Sequence, residues 1–152
     1  MRIMLDTNIF ISMIFFPSAQ TRELARRLTE SHQIVVCDYV IEELRLVTER
    51  KFPAKRKFLD RFFMELPFEL VYTPKELDLN EFPEMRDVKD SPILATAIME
   101  SIDVFLTGDK DFLVVDIEIP EILTMKEFLE KSLQQNVTCL LYTSPSPRDP
   151  KT

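Results

Sequence analysis

The sequence predicts an α/β protein, a three-layer α/β/α sandwich around a central and mostly parallel sheet. Two observations lead there. Short β-favouring runs alternate along the chain with longer helical patterns, which implies right-handed crossovers between parallel strands. The runs Ile3–Leu5 and Ile34–Cys37 are uncharged without alternation, as strands covered on both faces must be. A length of 152 residues, 45% hydrophobic and 30% charged, suits a single core.

In chain order, residues 2–5 form a buried strand ending at Asp6, and a helical stretch follows until Pro17 stops it. Residues 19–31 make an amphipathic helix with Leu24, Ala25 and Leu28 inward and Arg22, Arg26 and Arg27 outward. Residues 34–37 are the second strand, and Asp38 is placed to cap the helix that follows. The next helix runs from about Ala54 to Leu66, apolar at Phe58, Leu59, Phe62 and Phe63, and leads to a third strand, Phe68 to Tyr72. Residues 73–89 are acidic and read as loop. Pro92 suits the first turn of a helix reaching Glu100. Asp103 to Thr107 is the fourth strand, 109–114 a short helical turn, and Ile117 to Ile119 a short edge strand. Thr124 and Glu127 are spaced as a capping box for a last helix ending near Leu133.

Composition removes several chemistries. Gly108 is the only glycine, so neither a P-loop nor a dinucleotide-binding glycine turn can be built. The single histidine, His32, is expected in a solvated turn, which leaves no serine or cysteine triad. Two cysteines, Cys37 and Cys139, make neither a disulfide framework nor, with one histidine, a usual zinc site. The N-terminus has Arg2 ahead of apolar residues, but Asp6 and Asn8 interrupt it and no cleavage site follows. No apolar run is long enough to span a membrane. A reducing, cytoplasmic setting is expected.

The remaining chemistry belongs to carboxylates. In a parallel sheet the ligand site lies beyond the carboxyl ends of the strands. Asp6 follows the first strand there and Asp109 follows the fourth, in LTGDKDF. Glu43 borders the apolar stripe Val40, Ile41, Leu44 and Val47 of its helix, whereas Glu42 points nearly opposite. Asp90 continues the buried face of Ile93, Leu94 and Ala97, although it also suits an N-cap. Each acid alone has an ordinary explanation as a cap or turn residue. Together they are expected to converge without an obvious lysine to neutralise them, and a hard divalent cation would relieve their repulsion.

These residues resemble PIN-domain nucleases, in particular the VapC-like toxins of prokaryotic type II toxin–antitoxin systems. The motifs carrying the resemblance are LDTNIFIS at 5–12, VIEEL at 40–44, RDVKDSPILATA at 86–97 and FLTGDKDF at 105–112, in family order over nearly all of residues 1–130. The resemblance implies a PIN-like sandwich over residues 1–134. It implies catalytic and metal-binding roles for Asp6, Glu43, Asp90 and Asp109, with Asp111 as a fifth metal-site candidate. Asn8 and Thr107 would orient the acids. Glu42 against Glu43, and Asp109 against Asp111, stay open as alternative registers. The implied chemistry is an endoribonuclease using Mg2+ or Mn2+ to activate water against an RNA phosphodiester, leaving a 3′-hydroxyl and a 5′-phosphate. The implied partners are RNA, an antitoxin protein and a second copy in a homodimer.

A net charge of −7 disfavours nucleic acid only if charge is spread evenly. Arg45, Arg50, Lys51, Lys55, Arg56, Lys57 and Arg61 cluster in one segment, which could meet a phosphate backbone, an acidic partner or only solvent. The last residues, 135–152, are expected to be disordered, and CLLYTSPSPRD at 139–149 resembles a translated sequencing adapter, so native sequence is expected to diverge near Val137. Two other readings remain, a catalytically silent PIN-like binding module and a receiver-like phosphoacceptor. The latter wants a strand-end lysine that Lys110 supplies poorly.

Overall fold

In the computed structural model, which describes residues 1–74 and 91–131, the strands are β1 (Arg2–Leu5), β2 (Gln33–Cys37), β3 (Glu69–Val71), β4 (Val104–Leu106) and β5 (Glu121–Leu123). They hydrogen-bond in the order β3-β2-β1-β4-β5, and every adjacent pair is parallel. Consecutive residues Ile3, Met4 and Leu5, and likewise Ile34 to Cys37, are buried, so both faces of the central strands are covered.

The helices are α1 (Thr7–Phe15), α2 (Ala19–Ser31), α3 (Asp38–Lys51), α4 (Arg56–Glu65), α5 (Ser91–Met99), α6 (Lys110–Leu113) and α7 (125–131), with a 3-10 turn at Pro53–Lys55. Phe10 of α1 meets Phe62 and Phe63 of α4 at ring-centre distances of 6.1 and 5.5 Å, which ties α4 to the core. The capping box of α7 forms, with Thr124 and Glu127 each accepting the other's backbone N–H. None of the described helices is long and apolar enough to cross a membrane.

Five expectations need correction. The edge strand is Glu121–Leu123, not Ile117 to Ile119. Both triplets have an acid among β-favouring residues, but only the later one pairs with β4, where the Glu121 N–H donates to Asp103 and Leu123 accepts from Thr107. Asp38 is the first residue of α3 rather than its cap, and its carboxylate accepts the backbone N–H of Thr73 at 2.7 Å, fastening the chain after β3. Arg27 does not simply point outward, because its guanidinium reaches back to the Leu129 carbonyl at 2.9 Å. Phe58 is 54% exposed, since the core-facing side of α4 passes through Leu59, Phe62 and Phe63. His32 is half-buried and lies edge-on to Phe128, and burial pushes its imidazole pKa down. The helix expected to end near Leu133, and the segments 75–90 and 132–152, lie outside the described residues.

Arg2 clasps the amino edge of the sheet. Its side chain pairs with Glu69 on β3 at 2.7 Å and with the carboxylate and carbonyl of Glu100, and its backbone N–H donates to Asp103 at 2.8 Å. The pairs are partly solvated, so Arg2→Met is expected to cost about 1 kcal/mol, read as a lower urea midpoint with unchanged slope.

Candidate metal centre at the carboxyl edge of the sheet

From β1 the chain proceeds outward through β2 to β3, then crosses back to β4 and β5 on the other side. The reversal opens a crevice between the carboxyl ends of β1 and β4, the place where ligands of parallel sheets are bound. Asp6 leaves β1 directly into this crevice, and Thr107 and Asp109 leave β4 into it.

The three residues form one hydrogen-bonded chain. Thr107 donates its hydroxyl to Asp6 Oδ2 and accepts the Asp109 backbone N–H at 3.0 Å. The other Asp6 oxygen, Oδ1, accepts the Ile9 N–H at 3.0 Å and so caps α1. Asp109 in turn caps α6 by accepting the Asp111 N–H at 2.9 Å. From α3, Glu43 reaches the same crevice and accepts a hydrogen bond from the Thr7 hydroxyl.

Asp6, Glu43 and Asp109 all line a cavity of about 180 Å³. Ile11, Val47, Ile93 and Phe112 supply its apolar walls, and Thr7 and Asn8 its neutral polar surface. Asp6 is only 3% exposed, and this burial pushes its carboxyl up to about 6. The Asp109 charge adds to the rise, while the bonds from Thr107, Ile9 and Asn8 oppose it. A second, more apolar groove of about 500 Å³ runs between α3 and α4, lined by Ile41, Leu59, Phe63 and Met64 with Arg45 and Asp60 at its rim.

Among the described residues, Glu42 is exposed and paired with Arg45, whereas Glu43 lines the cavity. Asp109 lines it and Asp111 does not. Asp90 lies outside the described residues. The Asn8 side chain is exposed in the cavity mouth, and its contribution to Asp6 comes from its backbone N–H. The hydroxyl orienting Glu43 is that of Thr7, a residue the sequence reading passed over although it directly follows Asp6 in LDTN. The expectation that no lysine stands near the acids needs correction too, because Lys51 lines the same cavity. Of the other basic residues, Arg45 and Arg56 pair with Glu42 and Glu49, Lys55 sits 6.0 Å above the Phe52 ring, and Arg50 and Lys57 are exposed.

Among the described residues, no three acidic, histidine or cysteine side chains stand close enough together to enclose an ion. The donor set still fits one cation. It is all carboxylate oxygen, and Mg2+ characteristically takes one or two carboxylates and keeps several waters.

The chain is thus a parallel α/β sandwich with acids gathered at its strand-order reversal. The PIN domain family model matches residues 3–118, and the chain belongs to that family. Solved structures place the fold in the same company. A chain of VapBC2 from Rickettsia felis, determined with a DNA fragment from its promoter, superimposes with a TM-score of 0.64 at 20% identity over 82% of this chain and 98% of that one. FitAB bound to the IR36 DNA fragment gives 0.59 at 15% identity over 81% and 94%. VapC20 of Mycobacterium tuberculosis, a toxin that cleaves the sarcin–ricin loop, gives 0.51 at 16% over 76% and 97%. No curated protein matches the chain.

Proposed function

We propose that this chain is a divalent-metal-dependent endoribonuclease acting as the toxin of a toxin–antitoxin pair. The observation that carries the reading is the meeting of Asp6, Glu43 and Asp109, drawn from three separate segments, in one cavity at the reversal of strand order. Membership of the PIN family and likeness in fold to a toxin that cleaves RNA support it.

Asp6, Glu43 and Asp109 would hold the cation, with Asp90 proposed as a fourth ligand. When bound, Mg2+ or Mn2+ supplies a more acidic water and polarises a phosphoryl oxygen. The chain's own contribution is orientation. Thr107 fixes the Asp6 carboxylate and the Asp109 backbone together, and Thr7 fixes Glu43. RNA would be bound as the substrate. For the antitoxin, the exposed Met64 and the apolar groove between α3 and α4 form a surface of the kind a protein partner covers.

Purified protein incubated with single-stranded and structured RNAs is expected to cut with Mg2+ or Mn2+ and to stop with EDTA. Cleavage that persists in EDTA, or no cleavage with any RNA and metal, counts against the reading. Thr107→Val is expected to weaken Mn2+ binding by about 10- to 100-fold in calorimetric titration, while Thr107→Ser stays within a few-fold. Equal affinity in wild type and Thr107→Val would deny the hydroxyl its orienting role.

A further inference from the structure

We infer that Lys51 is the phosphate-binding residue of this cavity, the group that brings a negatively charged RNA backbone up to Asp6, Glu43 and Asp109. The inference rests on the nuclease reading above and adds to it the contact that makes an acidic site hospitable to an anion.

Three observations support it. Glu43, Val47 and Lys51 stand at intervals of four along α3, so they share one face of the helix, and all three line the cavity. Lys51 is the sole cationic residue in that lining among the described residues. It makes no ion pair among the described residues, whereas Arg45 and Arg56 of the same basic segment are each tied to a glutamate. Its ammonium is therefore not consumed as a counter-ion to the acids beside it, and a lysine is a compact point charge suited to phosphate.

The backbone under Lys51 is held firmly. Phe52, the next residue, stacks on Phe15 at 4.8 Å and meets Phe16 edge-on at 5.7 Å, and its N–H closes the helix on the Thr48 carbonyl at 2.8 Å. This pins the last turn of α3 to the end of α1, the helix that Asp6 caps. A lysine in a helix's last turn is also favoured by the helix dipole. That role predicts an effect on stability and none on RNA, so the two roles separate.

The test compares wild type, Lys51→Met and Lys51→Arg on a fluorescein-labelled single-stranded RNA of mixed sequence. Cleavage is measured with Mn2+, and binding by anisotropy with Ca2+ replacing Mn2+ across a range of salt concentrations. Lys51→Met is expected to raise KM and Kd about tenfold and to make the salt dependence shallower by about one phosphate contact. Lys51→Arg should stay within about threefold, neither variant should bind Mn2+ more weakly, and Lys51→Met should melt no more than a few degrees earlier, the loss that the helix dipole allows. If Asp6→Asn abolishes cleavage while Lys51→Met binds RNA with wild-type affinity and salt slope, the role of Lys51 is overturned and the nuclease reading stands. Loss of Mn2+ affinity or thermal stability in step with the RNA defect would overturn it in favour of a structural role. A wild-type protein that neither binds nor cuts RNA overturns both.

Discussion

Asp6→Asn is expected to abolish metal-dependent RNA cleavage, by about 100-fold or more, while making the metal-free protein more stable near neutral pH. Both effects come from the same burial. The Asp6 carboxyl rises in the folded protein to about 6 from an ordinary value of 3.8, because the site strips it of water and sets Asp109 nearby. Between those two pH values the folded chain holds a proton there that the unfolded chain has released. Stability therefore falls as pH climbs from about 4 to 6, and the full penalty persists above 6. It is on the order of 2–3 kcal/mol. Asparagine removes that charge. Its Oδ1 can still accept the Ile9 N–H that caps α1, and its Nδ2 can donate to the Thr107 hydroxyl. Denaturant melts at pH 7.5 in EDTA should show the variant above wild type, with the difference shrinking toward pH 4. Adding Mn2+ should reverse the order, because only wild type gains binding energy from the ion. A metal-free variant less stable than wild type at pH 7.5 would contradict this account of Asp6.

The largest expected loss of stability is at Phe105. This ring is fully buried in β4 and packs on Phe112 of α6 at 4.9 Å, so it supports the turn that carries Asp109. Phe105→Ala leaves a void in a rigid interior and should cost about 3–5 kcal/mol, against about 1 kcal/mol for Phe105→Leu. Urea unfolding measures both. A change below about 1 kcal/mol for alanine would mean that the Phe105 ring is not tightly packed in the core.

Much of the architecture was legible because burial leaves a direct trace. Strands covered on both faces carry uncharged runs, so β1, β2 and β4 are plain in the sequence, and the acids after β1 and β4 mark the site edge. Helical phase separated Glu43 from Glu42, since i+4 geometry depends on spacing alone. What failed depended on partners distant in sequence. The choice of Glu121–Leu123 over Ile117 to Ile119 turns on pairing with β4, and local propensity hardly distinguishes the two triplets. Arg27 and His32 looked solvated because nothing nearby in sequence announces Leu129 and Phe128. The sequence marked Lys51 only as one of a basic segment, because its place beside the acids follows from how α3 lies across α1, although its spacing of eight from Glu43 contained the hint.

Anomalous diffraction from crystals soaked in Mn2+ tests the metal centre most directly. One strong peak between the ends of β1 and β4, within coordinating reach of Asp6 and Asp109 and missing from Asp6→Asn crystals, is the expected result. An empty crevice at saturating Mn2+ would contradict it, as would manganese bound only at surface carboxylates while RNA is still cut.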